Sequence, residues 1–179
     1  MESTWLLLIY TVPAEPSRKR AAVWRELKRA GAVSVRDGVW ALPERDDTRD
    51  RFRMIAAKVT DLDGQATLVE GARIGAERTA DVVAAAQAVR AREYQELIDE
   101  AGHFLAHVQR EREHRNVTFH ELEELEADLG KLRHWSEQVV ARDYFGAAGR
   151  AEVEQLFAQC DEVLESFLEN PFRDAEAEG

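Results

Sequence analysis

The sequence has too few cysteines for a disulfide or a thiolate metal site, and it has no apolar run long enough for a membrane span. Cys160 is its single cysteine, which excludes an internal disulfide and any metal site made of several thiolates. No apolar run approaches the roughly 18 residues that a bilayer span needs, and residues 1–10 lack the basic start of a signal peptide. We therefore expect a soluble, cytoplasmic chain that does not contact a membrane.

Acidic residues outnumber basic ones, but the two are unevenly distributed. The formal net charge is −11. Residues 1–60 carry 12 basic and 8 acidic side chains, whereas residues 61–179 carry 12 and 27. Any anion-binding function is therefore expected near the N-terminal end, because the rest of the chain should repel anions.

The first 70 residues predict alternating strands and helices. The predicted elements are a strand from Trp5 to Val12, a helix from Ser17 to Ala30, strands at 32–36 and 39–42, a helix at 48–62 and a strand at 65–70. Ser17 supplies a hydroxyl for the helix N-cap, and Asp37-Gly38 favours a type I′ hairpin turn. The order β-α-β-β-α-β predicts a ferredoxin-like fold, in which two helices cover one face of a four-stranded antiparallel sheet.

Beyond Gly75 the apolar residues recur at a spacing near 3.5, as in packed helices. Three successive seams run from Tyr94 to Val108, from Leu122 to Val139 and from Val153 to Leu168. Helices with such seams bury them most simply against one another, as an antiparallel bundle or stalk. The first helix would measure roughly 58 Å if it were unbroken over 76–114. We therefore expect an α+β protein with a domain at 1–75, a helical bundle at 76–173 and an acidic tail at 174–179.

The first helix carries a basic surface. Arg18, Arg25 and Arg29 fall within about 40° of one another on a helical projection, on the side opposite the apolar residues. The helix start adds backbone N–H groups and the positive end of the helix dipole, which favour an anion. The candidate nucleic-acid or anion-binding residues are Arg18, Lys19, Arg20, Arg25, Lys28 and Arg29. The alternative is that this stripe is only the solvated side of an amphipathic helix.

Arg20 and Trp24 lie toward the apolar side of the same helix. Arg20 is expected at the edge of the core, where it would either pair with a carboxylate or reach into a cleft. Trp24 and Trp40 are expected in the core rather than as platforms for stacked bases.

The histidines offer a spacing that could hold a metal ion. His103 and His107 are four residues apart, with Glu100 one turn earlier and His114 two turns later. All three histidines project about 200° to 240° from the apolar seam, however, and His120 and His134 also point away from theirs. We therefore predict solvated histidines, with no metal and no cofactor.

No catalytic constellation is found in the sequence. Glycine-rich phosphate loops and nucleophile elbows are absent. Cys160 occupies a seam position and is expected to be a small buried hydrophobe. A solvated helix face is the expected role of the carboxylates Glu121, Glu123, Glu124, Glu126 and Asp128. We therefore expect that the protein is not an enzyme.

Several of these segments resemble the N-terminal domain of the ChrB family, which is linked to bacterial chromate resistance. The matching segments, with x for a position outside the resemblance, are WLLLIY at 5–10, PxxPSxxR at 13–20, VWRxLKRxGAV at 23–33, DGVWALP at 37–43, REYxEL at 92–97, LxKLxxW at 129–135 and RDxFG at 142–146. The resemblance implies a chromate-responsive transcription regulator that contacts promoter DNA. It places Arg18, Arg20, Arg25 and Arg29 at the matching basic positions.

Full-length members of that family carry a further C-terminal domain, where effector binding is expected. This sequence ends at Gly179, so we expect it either to act alone or to work with a separately encoded effector domain. It could dimerise through the sheet or through the helical stalk.

Two other functions fit the sequence. One is a protein-interaction module that acts through the helical stalk, with the basic helix only as surface. The other is an oxyanion-binding or redox protein that uses Arg20 with Trp24 nearby.

A fainter resemblance reaches small CRISPR-associated endonucleases, but these need an aspartate at the end of the first strand. Here Thr11-Val12-Pro13 occupies that place, so nuclease activity is not expected.

Overall fold

The computed structural model of the protein describes residues 4–113 and 119–176. Over these ranges the chain is α+β, with a four-stranded antiparallel sheet and five helices. The elements are β1 (Trp5–Thr11), α1 (Ser17–Arg29), β2 (Val33–Arg36), β3 (Val39–Pro43), α2 (Asp46–Asp61), β4 (Gln65–Ala72), α3 (Ala76–Glu113), α4 (Phe119–Val140) and α5 (Arg150–Glu176).

The sheet is built around β1. Its strand order is β2-β3-β1-β4, and each neighbouring pair is antiparallel. Leu8 in β1 lies opposite Trp40 in β3 and Leu68 in β4. The apolar run that begins at Trp5 therefore forms a central strand, as its composition predicts.

The β2–β3 hairpin forms at Asp37-Gly38, but the predicted type I′ turn is wrong. That turn needs a positive φ at both central residues, and of these two only Gly38 has one, at +71°. The register shifts between Ser34 and Arg36, so a bulge accommodates the different turn. Gly38 is still required, because a Cβ there would lie 2.8 Å from the backbone oxygen of Tyr10.

The predicted N-cap of α1 also needs correction. Ser17 is the first helical residue, and Pro16 takes the N-cap position without a side-chain cap hydrogen bond. The backbone N–H of Lys19 donates to the Pro16 carbonyl at 3.0 Å. The φ of Pro16 is −75° with an extended ψ. Proline has no side-chain acceptor, so the backbone carbonyl of Pro16, rather than a serine hydroxyl, accepts the hydrogen bond of Lys19.

Both faces of the sheet are covered. On one face, α1 and α2 pack Val23, Leu27, Phe52, Ile55 and Val59 against strand residues that include Leu6 and Leu8. On the other face, Val82 of α3 packs with Trp5 and Ala41. The sequence predicts only the first layer, and the start of α3 supplies the second.

The described chain divides into two compact units. The first contains Met1–Ala88 and Arg142–Phe145, and the second contains Val89–Ala141 and Gly146–Gly179. The division falls within α3. The domain boundaries at residues 75 and 173 remain predictions from the sequence.

The second unit buries the predicted seams. One cluster joins side chains of α3, α4 and α5: Ala101, Phe104, Val108, Leu125, Leu129, Cys160 and Leu164. Another contains Tyr94, Leu97, Val139, Ala147 and Val153. The spacing near 3.5 thus correctly identifies the apolar side of each helix.

The ends of the helices differ slightly from the predicted ones. α3 is continuous through Glu113, and the predicted helical position of His114 lies outside the described residues. α5 continues through residue 176, where the sequence predicts a tail from residue 174. Residues 177–179 of that tail lie outside the described residues. Among the helices of the described residues, none combines the length and the hydropathy that a bilayer span requires.

Candidate nucleic-acid interface

The exposed side of α1 presents a stripe of arginines. Arg18, Arg25 and Arg29 are all exposed, while Val23 and Leu27 on the opposite side are fully buried. The packing of those two residues against the sheet fixes which side of the helix faces solvent. Because a helix rises 1.5 Å per residue, the stripe from Arg18 to Arg29 is roughly 16 Å long.

Arg18 and Arg20 are two cations near the start of α1. Both are exposed, and neither forms an ion pair with a residue in the described part of the chain. Their position in the first turn adds them to the positive end of the helix dipole. They are therefore available to an external anion.

Lys19 is committed to an internal pair. Its Nζ donates a hydrogen bond of 2.6 Å to Asp63, just beyond the end of α2. That hydrogen bond holds the pKa of the Asp63 carboxyl below its ordinary value. Although the sequence places Lys19 among the candidate residues, its charge is already largely compensated.

Lys28 lies over two aromatic rings. Its Nζ is 5.5 Å from the centroid of Trp24 and 5.8 Å from that of Trp40. At these distances the ring quadrupoles attract the ammonium group. Lys28 therefore orders the rim of α1 and contributes less than a freely extended lysine to an anion site.

Glu26 is the acidic residue on the basic side of α1. Its Oε1 accepts hydrogen bonds from Lys58 at 2.5 Å and from Arg29 at 3.4 Å. The hydrogen bond from Lys58 is the main reason that the pKa of Glu26 is lowered, against the opposing effect of burial. Glu26 thus partly compensates the positive charge of Arg29, but Arg29 still belongs to the stripe.

Arg20 borders a groove of about 750 Å³. The groove lies between α1, the end of β1 and the hairpin turn, and its lining includes Tyr10, Trp24 and Asp37. Of the two expectations for Arg20, the structure supports the one in which the side chain reaches a cleft. The lining is mainly apolar and includes a carboxylate, so the groove is poorly suited to an oxyanion.

Trp24 is not in the core, so that prediction is wrong, whereas Trp40 is buried as expected. Trp24 is 51% exposed and stands beside the groove. Its position on the helix is 80° from the midpoint of Val23 and Leu27, which places it at the rim of the buried side. That angle could have identified Trp24 as a surface aromatic.

The six candidate residues therefore separate into three groups. Arg18, Arg25 and Arg29 form one exposed stripe, Arg20 borders the groove, and Lys19 and Lys28 make internal contacts. The structure thus brings together three of the six on a single surface.

Other groups singled out in the sequence are mostly placed as expected. Cys160 is fully buried, with Sγ 3.9 Å from the carbonyl oxygen of Ala101, and burial raises its pKa to about 11. The exposed side chains of this set are those of His103, His120, His134, Glu123, Glu124, Glu126 and Asp128. His107 and Glu121 differ, because both are partly buried.

Comparison with known proteins links the chain to one family. The family described as "Protein ChrB, N-terminal" matches residues 20–178. A protein of Cupriavidus metallidurans named "Protein ChrB" is 34% identical over 64 residues. That match spans 36% of this chain and 20% of the Cupriavidus protein. No solved structure matches the chain. Because the family match covers most of the sequence, including Arg25 and Arg29 of the stripe, the chain belongs to the ChrB N-terminal family.

Proposed function

We propose that this member of the ChrB family is a regulatory protein of a chromate-resistance system and that it binds promoter DNA through α1. The observation that carries this proposal is the exposed stripe of Arg18, Arg25 and Arg29 on a helix whose other side is anchored in the core. The family supplies the link to chromate resistance, as the resemblance in the sequence implies.

The arginine stripe suits a phosphate backbone. Guanidinium groups bind phosphate oxygens through charge-assisted hydrogen bonds, and a stripe of roughly 16 Å reaches several phosphates of one strand. Such contacts fix the position of a protein on DNA but do not read its sequence. Arg20 and the exposed Trp24 lie beside the stripe and are the nearest groups that could contact bases.

The acidic remainder of the chain should orient the protein relative to DNA. With a net charge of −11, most of the protein repels DNA, so productive encounters occur through the basic end. Binding should therefore weaken steeply with salt, because counterions are released where arginines meet phosphates.

The fold assignment that accompanies this proposal is a ferredoxin-like first unit and an antiparallel helical bundle as the second. The element order β-α-β-β-α-β and the sheet order β2-β3-β1-β4 support the first assignment. The shared apolar clusters of α3, α4 and α5 support the second.

Fluorescence anisotropy tests the proposal. The protein is titrated into its own upstream DNA and into a scrambled duplex at two salt concentrations. We expect tighter binding to the upstream DNA and a fall in affinity with added salt. A triple variant R18A/R25A/R29A should weaken binding to both duplexes and reduce the salt slope by about 1 for each phosphate that the protein no longer neutralises.

A matched control removes the same charge elsewhere in the first unit. The variant R36A/R53A/R78A replaces three exposed arginines outside α1 and should bind like the wild type. Equally weakened binding by the two triple variants would reduce the effect to net charge and remove α1 from the interface. No binding of the wild type to either duplex would instead favour the protein-interaction module as the function.

A further inference from the structure

His107, Glu111 and Glu121 form a cluster of potential metal ligands between α3 and α4. The Nε2 atom of His107 lies 3.6 Å from Oε1 of Glu111 and 3.7 Å from Oε1 of Glu121. The ligand atoms of all three residues lie within 4.8 Å of one another. One nitrogen and two carboxylate oxygens therefore converge on a single point of the second unit.

The spacing of these atoms suits a small divalent ion. A tetrahedral ion with bonds of about 2.0 to 2.1 Å to nitrogen and oxygen holds its ligands roughly 3.3 to 3.4 Å apart. The two distances from His107 exceed this separation by a few tenths of an ångström. The oxygens of Glu111 and Glu121 lie within 4.8 Å of each other, so binding would require side-chain rotations that bring them closer by at most about 1.5 Å.

The local structure places the three ligands reproducibly. His107 and Glu111 are four residues apart on α3, so they share one face of the helix. Glu121 comes from the first turns of α4, and an ion bound by all three would link the two helices. The side chains of His107, Glu111 and Glu121 are 38%, 20% and 20% exposed, which restricts their motion and leaves a path for an ion.

His107 also borders a cleft of about 490 Å³. The cleft is lined on the α3 side by Glu100, His103 and Phe104, and on the α4 side by Asp128 and Lys131. An ion held by three protein ligands keeps a coordination position for water or another ligand. The cleft supplies the space from which such a ligand could approach.

We propose that His107, Glu111 and Glu121 bind a divalent first-row transition-metal ion, with Zn²⁺ as the expected type. Imidazole favours zinc and its neighbours over Mg²⁺ and Ca²⁺, which prefer oxygen ligands alone. Binding requires a neutral imidazole and two carboxylates, so the charges of the two glutamates balance that of the ion. The bound ion stabilises the α3–α4 pair.

This site departs from the prediction of no metal, which considered His103, His107, Glu100 and His114 along α3 alone. The structure selects a different set, with a ligand from α4. An angle of 240° from the apolar seam, measured one way around α3, equals 120° measured the other way. His107 therefore lies on the flank of the seam that faces α4.

Calorimetry and thermal unfolding test the proposal. The full chain is stripped of metal with a chelator, dialysed and titrated with Zn²⁺. We expect one site per chain and a rise in the unfolding temperature when Zn²⁺ is present. The variants H107A and E121Q should each bind Zn²⁺ at least about 10- to 100-fold more weakly, the range that removal of even an outer-shell partner produces.

Two controls make the result decisive. His103→Ala removes an exposed histidine that borders the cleft but lies outside the cluster, and it should leave the Zn²⁺ affinity unchanged. Mg²⁺ should not raise the unfolding temperature as Zn²⁺ does.

Four results would overturn the proposal. The first is a wild type that does not bind Zn²⁺, and the second is an E121Q variant with unchanged Zn²⁺ affinity. The third is an H103A variant that binds Zn²⁺ as weakly as H107A does. The fourth is equal stabilisation by Mg²⁺, which would indicate diffuse attraction of cations to an acidic protein. Circular dichroism of E121Q, which keeps the shape of the glutamate, separates loss of the site from loss of the fold.

Discussion

Lys58 on α2 donates a hydrogen bond of 2.5 Å to Glu26 on α1. Both residues lie at the outer edge of the first unit, above the buried contact between the two helices. The pair ties the basic helix to its neighbour. It also places a carboxylate within 3.4 Å of Arg29 and so limits the positive charge of the stripe.

Replacing Glu26 by glutamine should destabilise the first unit at neutral pH by about 0.5 to 1 kcal/mol, the upper end for a partly exposed pair. Because the folded state lowers the pKa of Glu26, this stabilisation is present above the ordinary pKa of 4.5 and is lost as the pH falls through the lowered value. Urea unfolding of wild type and E26Q should therefore differ at pH 7, and the difference should shrink as the pH falls below 4.5. The exposed Glu15→Gln is the control, and a difference that does not decrease as the pH falls below 4.5 would contradict the assignment.

Truncation of Leu27 should destabilise the protein much more than truncation of Trp24, although both residues lie on α1. Leu27 is fully buried, so Leu27→Ala leaves a cavity and should cost about 2 to 5 kcal/mol in the free energy of unfolding. Trp24 is 51% exposed, and Trp24→Ala should cost much less than the roughly 3 to 5 kcal/mol of a buried tryptophan. Urea titrations of the two variants compare them directly. Equal and large decreases in stability would place Trp24 in the core.

The elements of the first unit could be predicted because their signals are local. The apolar run at Trp5, the proline and glycine punctuation and the 3.6-residue period each act over a few residues. The surroundings of the Lys19 and Arg20 side chains could not be predicted from local signals. Each depends on which group a distant segment brings nearby, namely Asp63 for Lys19 and the β1 end and hairpin for Arg20.

The helices of the second unit show the same limit. Their seams identify the buried side of each helix, but not which flank meets a neighbour. His107 approaches Glu121 because α4 lies on that flank, and a projection of α3 alone does not contain this information. Likewise, Arg142-Asp143 and Phe145-Gly146 resemble the family by sequence, yet nothing local indicates that Tyr144 between them returns to donate a hydrogen bond of 2.9 Å to the carbonyl of Ala30.

That return contact gives a prediction for Gly31. Its φ is +76°, and an added Cβ would lie 2.8 Å from Cβ of Arg142 and 3.0 Å from the ring of Tyr144. Gly31→Ala should therefore cost more than the roughly 1 to 2 kcal/mol of left-handed strain alone. Gly71→Ala is the matched control, because φ is +66° there and a Cβ would meet nothing within 4 Å. Similar unfolding free energies for the two variants would mean that residues 142–145 do not pack at this position.

Cys160 should react with thiol reagents only when the second unit opens. Its side chain is fully buried, and burial raises its pKa from 9.0 to about 11, which lowers the thiolate fraction at pH 8 by about 100-fold relative to an unperturbed thiol. Ellman's reagent should therefore label the native protein slowly and label it at once in urea, and the single cysteine makes the signal unambiguous.

The pH dependence of Cys160 has a defined sign. The protonated thiol favours the folded state, so its contribution is complete below pH 9 and is lost as the pH rises toward 11. The free energy of unfolding of the wild type should fall over that interval by more than that of Cys160→Ala. Rapid native labelling at pH 8, together with identical alkaline profiles of the two proteins, would place the thiol at the surface.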